Sequence, residues 1–89
     1  MEKFIVFGEY CEDAIIKREP FRETHLHRLK RLKDQNILVT LGPTKCTKYL
    51  FGIFNAHDEN QLKNLVEGDI YWEKGIWIKY QIYPWVMAF

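Results

Sequence analysis

The apolar positions of this chain change their spacing several times, and each change marks an element. Lys3 to Gly8 is a short apolar run of β-branched and aromatic residues, which predicts a first strand buried on both faces and central in a sheet. Glu9 to Pro20 keeps no period and ends at a proline, so it reads as a loop with at most one helical turn. From Phe21 to Asn36 the spacing becomes helical. Leu26, Leu29 and Leu32 fall on one face, Glu23 stands early, Lys30, Arg31 and Lys33 stand late, and Asn36 suits the C-terminal end. Ile37 to Leu41 is a second strand closed by Gly42-Pro43. Tyr49 to Ala56 is a third, with Gly52 inside it as a bulge or as a point where another group approaches.

Asp58 opens a second helix, with Gln61 in a capping-box position, Leu62, Leu65 and Val66 facing inward, and Gly68 just past its end. Asp69 starts a short turn that closes at Gly75. Ile76 to Tyr83 then alternates, which puts Ile76, Ile78, Tyr80 and Ile82 on one face and Trp77, Lys79, Gln81 and Tyr83 on the other, with Pro84 as its end. The apolar tail from Trp85 to Phe89 is expected to pack on the domain. The order β-α-β-β-α-β is that of a ferredoxin-like α+β sandwich, a four-stranded antiparallel sheet with two helices on one face, formed by a single domain over residues 1–89. Two helices cover only one face of such a sheet. Because the strands are apolar on both faces, the other face calls for a partner, and a homodimer is the simplest closed solution.

Composition changes this picture little. The chain is 47% hydrophobic and 16% aromatic, with 13 basic residues against 12 acids and a formal net charge of +1, so nothing global points to nucleic acid or to a membrane surface. Seven basic residues against two acids between Lys17 and Lys33 read as the solvated side of the first helix. A nucleic-acid role through Arg28, Lys30 and Arg31 would show itself as strongly salt-dependent affinity. Cys11 and Cys46 have no CxxC spacing, and no stretch reads as a signal peptide or a membrane span, which leads us to expect a cytoplasmic protein with reduced thiols.

The candidate chemistry lies on the first helix. His25 and Arg22 project with the leucines, whereas His27, Arg28, Lys30 and Arg31 point elsewhere. An imidazole aimed at the core is either a satisfied core-edge histidine or a group that takes and returns protons. Asp69 is its carboxylate partner by type, or alternatively the N-cap of the turn it starts. Arg22, one turn before His25, can hold a carboxylate or enolate oxygen or pair with Asp13. Tyr10, Trp72 and Trp77 can wall an aromatic pocket or belong to the core. His25 and His27 point about 160° apart, so they cannot chelate one ion. No metal site, phosphate loop, dinucleotide fingerprint or serine elbow stands in the sequence, and no cofactor is expected.

Lys17-Arg18, the run Arg22-Glu-Thr-His25-Leu26, Gly42-Pro43 after Leu38, and Asp69 followed by Tyr71 and Gly75 together resemble the YCII-related (YciI-like) family of small bacterial proteins. The resemblance covers nearly the whole chain. It implies the fold of the dimeric α+β barrel group and a histidine and aspartate pair in a cleft, which fall on His25 and Asp69. The group is similar to muconolactone isomerases, and a related branch removes halide from hydroxylated aromatics without a cofactor. The chain departs from the family pattern in having Asp69-Ile70-Tyr71 where Asp-Pro-Phe is usual, and in a short segment after Gly42-Pro43. Two functions follow as expectations. One is a cofactor-independent lyase or isomerase acting on a small molecule through His25, Asp69 and Arg22. The alternative is a non-catalytic dimerising or ligand-binding domain in which the same pair is structural.

Overall fold

The structure, a computed structural model, describes residues 1–89. Its elements are β1 (Glu2–Tyr10), α1 (Ala14–Lys17), a 3-10 turn (Glu19–Phe21), α2 (Arg22–Asp34), β2 (Leu38–Pro43), β3 (Tyr49–Ala56), α3 (Glu59–Glu67), α4 (Ile70–Glu73) and β4 (Trp77–Trp85). The strands form one antiparallel sheet in the order β2-β3-β1-β4, so β1 and β3 are central as their apolar runs require. The helices lie on one face. There Phe4, Val6, Leu50 and Phe54 meet Leu32, Leu62 and Val66, all almost fully buried, each worth about 1.5–3 kcal/mol for the area taken from water.

The helix ends follow their sequence signals. Asp58 Oδ1 accepts the Gln61 N–H at 2.8 Å, while the Gln61 side chain accepts the His57 N–H. At the end of α2, Asn36 takes a left-handed conformation (φ 60°). The Ile37 N–H reaches the Leu32 carbonyl and the Asn36 N–H the Lys33 carbonyl, which satisfies two carbonyls that the helix leaves open. Gly52 is a point of close approach. A Cβ there would lie 3.0 Å from the Leu41 side chain, and the register shift beside it falls in β2, between Leu38 and Thr40.

Five expectations change. The buried stripe of α2 runs through His25, Arg28, Leu29 and Leu32, turned by about 50° from the leucine face, so Leu26 and Arg22 are exposed. In β4, a register shift opposite Glu9 and Tyr10 inserts one residue. Trp77 pairs with Tyr10 and turns into the core, while Ile78 turns out to solvent, the reverse of strict alternation. The strand also continues through Pro84 to Trp85, which an edge strand tolerates because the missing N–H can face away from its only neighbour. Finally, β1 is buried on the helix side alone, and Val86, Met87 and Phe89 of the tail are exposed, because no part of this chain covers that side of the sheet.

Tyr80 fastens β4 to α3 by donating its hydroxyl to Glu67, with the Trp72 ring edge-on to it at 5.2 Å. Burial, then the Glu67 hydrogen bond and charge, push the phenol well above its usual range. A phenol raised on folding contributes stability that is fully present below the ordinary tyrosine value of about 10 and is lost as pH rises through the higher folded value. Tyr80→Phe is therefore expected to cost about 1 kcal/mol in urea unfolding at neutral pH, with the gap to the native chain narrowing only above about pH 10.

Candidate functional site

Asp69 sits in the two-residue link between α3 and α4, where its extended backbone (φ −79°, ψ 140°) makes it the N-cap of α4. Its Oδ1 accepts the Tyr71 N–H at 2.9 Å and the His25 Nδ1–H at 2.7 Å. Its Oδ2 accepts from Arg28 Nη1 at 3.1 Å, and Arg28 Nη2 donates in turn to the Leu65 carbonyl at 2.8 Å. The two readings of Asp69, cap and histidine partner, are thus both met by one oxygen. The side chain is fully buried, and a buried carboxylate persists only when donors surround it, as these three do.

His25 is 4% exposed. Its ring lies flat on Tyr71 at 3.7 Å (10°) and meets the edge of Trp77 at 5.3 Å (89°). With a carboxylate accepting at Nδ1, the neutral ring carries its proton there and keeps a lone pair at Nε2, which makes no hydrogen bond within the chain. The arrangement holds a base in one orientation and one tautomer.

Arg28 is the residue that helical reasoning missed. It projects from the flank of the stripe, but its long side chain reaches back over the α3–α4 link. Two signals point to it. It follows His25 by one turn, and Gly68 stands at the link, where a Cβ would lie 2.9 Å from the Asn64 carbonyl and 3.3 Å from Arg28 Nη2. Arg22, by contrast, is exposed beside Glu19, Glu23 and His27, and pairs neither with Asp13 nor with any other acid.

Of the three aromatic candidates, Trp77 stands against His25, Tyr10 is its strand partner, and Trp72 lies apart on Tyr80. Of the buried N–H groups here, Arg18 Nε has no acceptor, and Trp77 Nε1 has only the Tyr10 hydroxyl, outside good hydrogen-bond geometry. A buried donor left wholly unpaired costs about 1–3 kcal/mol. The hydroxyls of Tyr10 and Tyr71 are both pushed up by burial. The Trp77 indole and then the Arg18 guanidinium oppose this at Tyr10, and Arg18 opposes it at Tyr71.

A cavity of about 780 Å³ opens at the same end of the sheet, lined by Tyr10, Cys11, Ala14, Ile16, Cys46 and Ile78 among others. His25 does not line it. Tyr10 does, and so connects it to the cluster around the histidine. Both cysteines are free, and the hydrogen bond with the Thr44 hydroxyl at 3.2 Å is the main cause that lowers the Cys46 thiol. Nowhere do three histidine, cysteine or acidic side chains group as metal ligands.

Compared with known families, the chain matches the model of the YCII-related domain over residues 2–86. It belongs to that family. Among solved structures, this YCII-related chain is similar to 5-chloro-2-hydroxyhydroquinone dehydrochlorinase (TftG) from Burkholderia phenoliruptrix AC1100, in complex with 2,5-dihydroxybenzoquinone. The TM-score is 0.83 over 97% of this chain and 95% of the other, at 20% identity, a likeness of fold. A sequence search of curated proteins finds no match. No helix is long and apolar enough to cross a membrane.

Proposed function

We propose that this YCII-related chain is a cofactor-independent enzyme of lyase or isomerase type that acts on a small oxygenated, preferably aromatic, molecule. The observation that carries the reading is the His25–Asp69 bond, buried and held at 2.7 Å by a carboxylate that two further donors fix. In this scheme His25 Nε2 removes a proton from carbon or hydroxyl, and the electron pair moves onto a substrate oxygen. The imidazolium, stabilised by Asp69, then returns the proton at another position, which completes an isomerisation. Where the substrate carries a leaving group, that group departs with its bonding electrons instead. Arg22, exposed one turn before His25, is assigned an oxygen at the rim. The fold shared with a dehydrochlorinase that was solved with a quinone supports the substrate class.

The test is a panel of hydroquinones, halogenated hydroxyaromatics and small lactones incubated in heavy water and followed by NMR, with His25→Gln as the control. Halide release, isomerisation or deuterium uptake that falls to background in His25→Gln supports the reading. Equal turnover in both proteins overturns it.

A second reading has an observation in its favour. Asp69 also caps α4 and binds α2 to it through Arg28, which is what a purely structural node of a ligand-binding domain would do. That reading predicts ligand binding with no turnover in the same panel.

We further assign the uncovered sheet face to a second copy of the chain. Phe7, Tyr49, Phe51 and Tyr83 are each about half exposed there, with Phe7 and Phe51 paired across β1 and β3. A homodimer would bury this patch and complete the barrel. Sedimentation velocity is expected to give twice the chain mass, and Phe51→Glu the monomer mass. A native chain that sediments as a monomer at micromolar concentration sinks the assignment.

A further inference from the structure

We propose that the cavity beside Tyr10 is a chamber shared by two copies of the chain, closed by residues 86–89 of the second copy. This rests on the homodimer assigned above and says which segment of the second copy enters the site. Glu9 and Tyr49, partners across β1 and β3, line the cavity and, by the alternation of their strands, also belong to the uncovered face of the sheet. On that face the Tyr49 ring stacks on Phe7 at 5.7 Å (23°), so the exposed aromatic patch runs without a break into the cavity. A second copy that covers the patch therefore reaches the cavity mouth.

The cavity and the tail lack complementary things. Ile15, Ile16 and Ile78 line the cavity yet are each more than half exposed, which forgoes the gain of burying them. Val86, Met87 and Phe89 follow β4 and are exposed, with nothing of their own chain to pack on. The two cannot meet within one chain. Trp85 pairs with Lys3 at one end of β1, and the cavity lies at Tyr10, about 23 Å farther along the strand. Residues 86–89 span at most about 14 Å.

Symmetry brings them together. A two-fold axis relates two sheets stacked face to face only when it lies in the plane between them. If it runs across the strands, each strand lies over its copy in the reverse direction, and the Trp85 end of one sheet comes over the Tyr10 end of the other. The contact then forms twice, each tail on the other copy's cavity. An axis along the strands would gather both tails at one end and leave both cavities open at the other, with the same apolar side chains still in water. Closure gives the cavity an apolar roof and makes it a chamber that meets the His25 cluster at Tyr10.

Cys46 reports on the roof. It is exposed on the cavity wall, and its thiol is lowered chiefly by the Thr44 hydrogen bond, so it alkylates readily when open to solvent. In a Cys11→Ser background, iodoacetamide is expected to modify Cys46 about tenfold faster in a chain shortened to residues 1–85 than in the full chain, with both sedimenting as dimers. In the same background, Phe89→Cys oxidised with diamide at micromolar concentration should give a covalent dimer. Mass spectrometry of the digest should show residue 89 of one copy joined to Cys46 of the other, and adding Cys46→Ser should abolish the product. Equal Cys46 rates in two dimeric proteins, with the oxidised product joined through residue 89 of both copies, would overturn the shared chamber and leave the homodimer standing. A full chain that sediments as a monomer overturns both.

Discussion

Asp69→Ala is expected to lower the unfolding free energy by about 3–5 kcal/mol in a urea titration, the largest loss for any polar residue of the chain. The substitution removes three contacts of one fully buried group at once. It strips α4 of its cap, which alone is worth about 1 kcal/mol. The Arg28 guanidinium is left with the Leu65 carbonyl as its one acceptor, and His25 Nδ1–H stays in a closed aromatic box with no acceptor. Relaxation offsets only part of this. Arg28 is half-buried and can swing out to water, whereas His25 is wedged between Tyr71, Trp77 and the body of α2. A loss below about 1 kcal/mol would mean that the carboxylate does not hold α2 to α4. For a domain of this size, a loss of 3–5 kcal/mol is a large share of the whole stability.

The elements were legible where one physical rule governs them alone. Spacing set the strands and helices, and the caps at Asp58, Asp69 and Asn36 needed only the local chain. The pairing of His25 with Asp69 was readable from type, since a buried imidazole and a buried carboxylate 44 residues apart are worth burying only together. What could not be read depends on how elements sit against each other. The leucines of α2 define a face, yet the helix turns toward His25 and Arg28, because the α3–α4 link offers a carboxylate and a glycine-sized gap there and nothing comparable lies toward Leu26. The extra residue in β4 exchanges Trp77 for Ile78, and no spacing within β4 announces it, because the shift exists only relative to β1. Arg18 falls in a segment without periodicity. The burial of its Nε comes from the fold of α1 and the turn after it.

The complementary substitution, Asp69→Asn, separates architecture from chemistry. The amide can keep the cap and the histidine orientation by turning its oxygen toward Tyr71 N–H and His25 Nδ1–H, the same two donors that Oδ1 now accepts. Its nitrogen then faces Arg28 Nη1, a conflict of donors that the half-buried arginine relieves by moving outward. The fold and the tautomer survive, and Nε2 remains available as a base. What is lost is the negative charge beside the ring at the moment it becomes imidazolium, in a site from which water is excluded and charge is poorly screened. For the proton-transfer step proposed here, kcat on the best substrate of the panel is therefore expected to fall by on the order of 10²–10⁴-fold, with KM changed little, because the carboxylate touches the base and not the substrate. Urea unfolding of the same variant should show less than half the loss seen for alanine. If kcat and stability instead fall together and in proportion, Asp69 acts on the reaction only by holding the fold, and the ligand-binding reading of the pair gains the advantage.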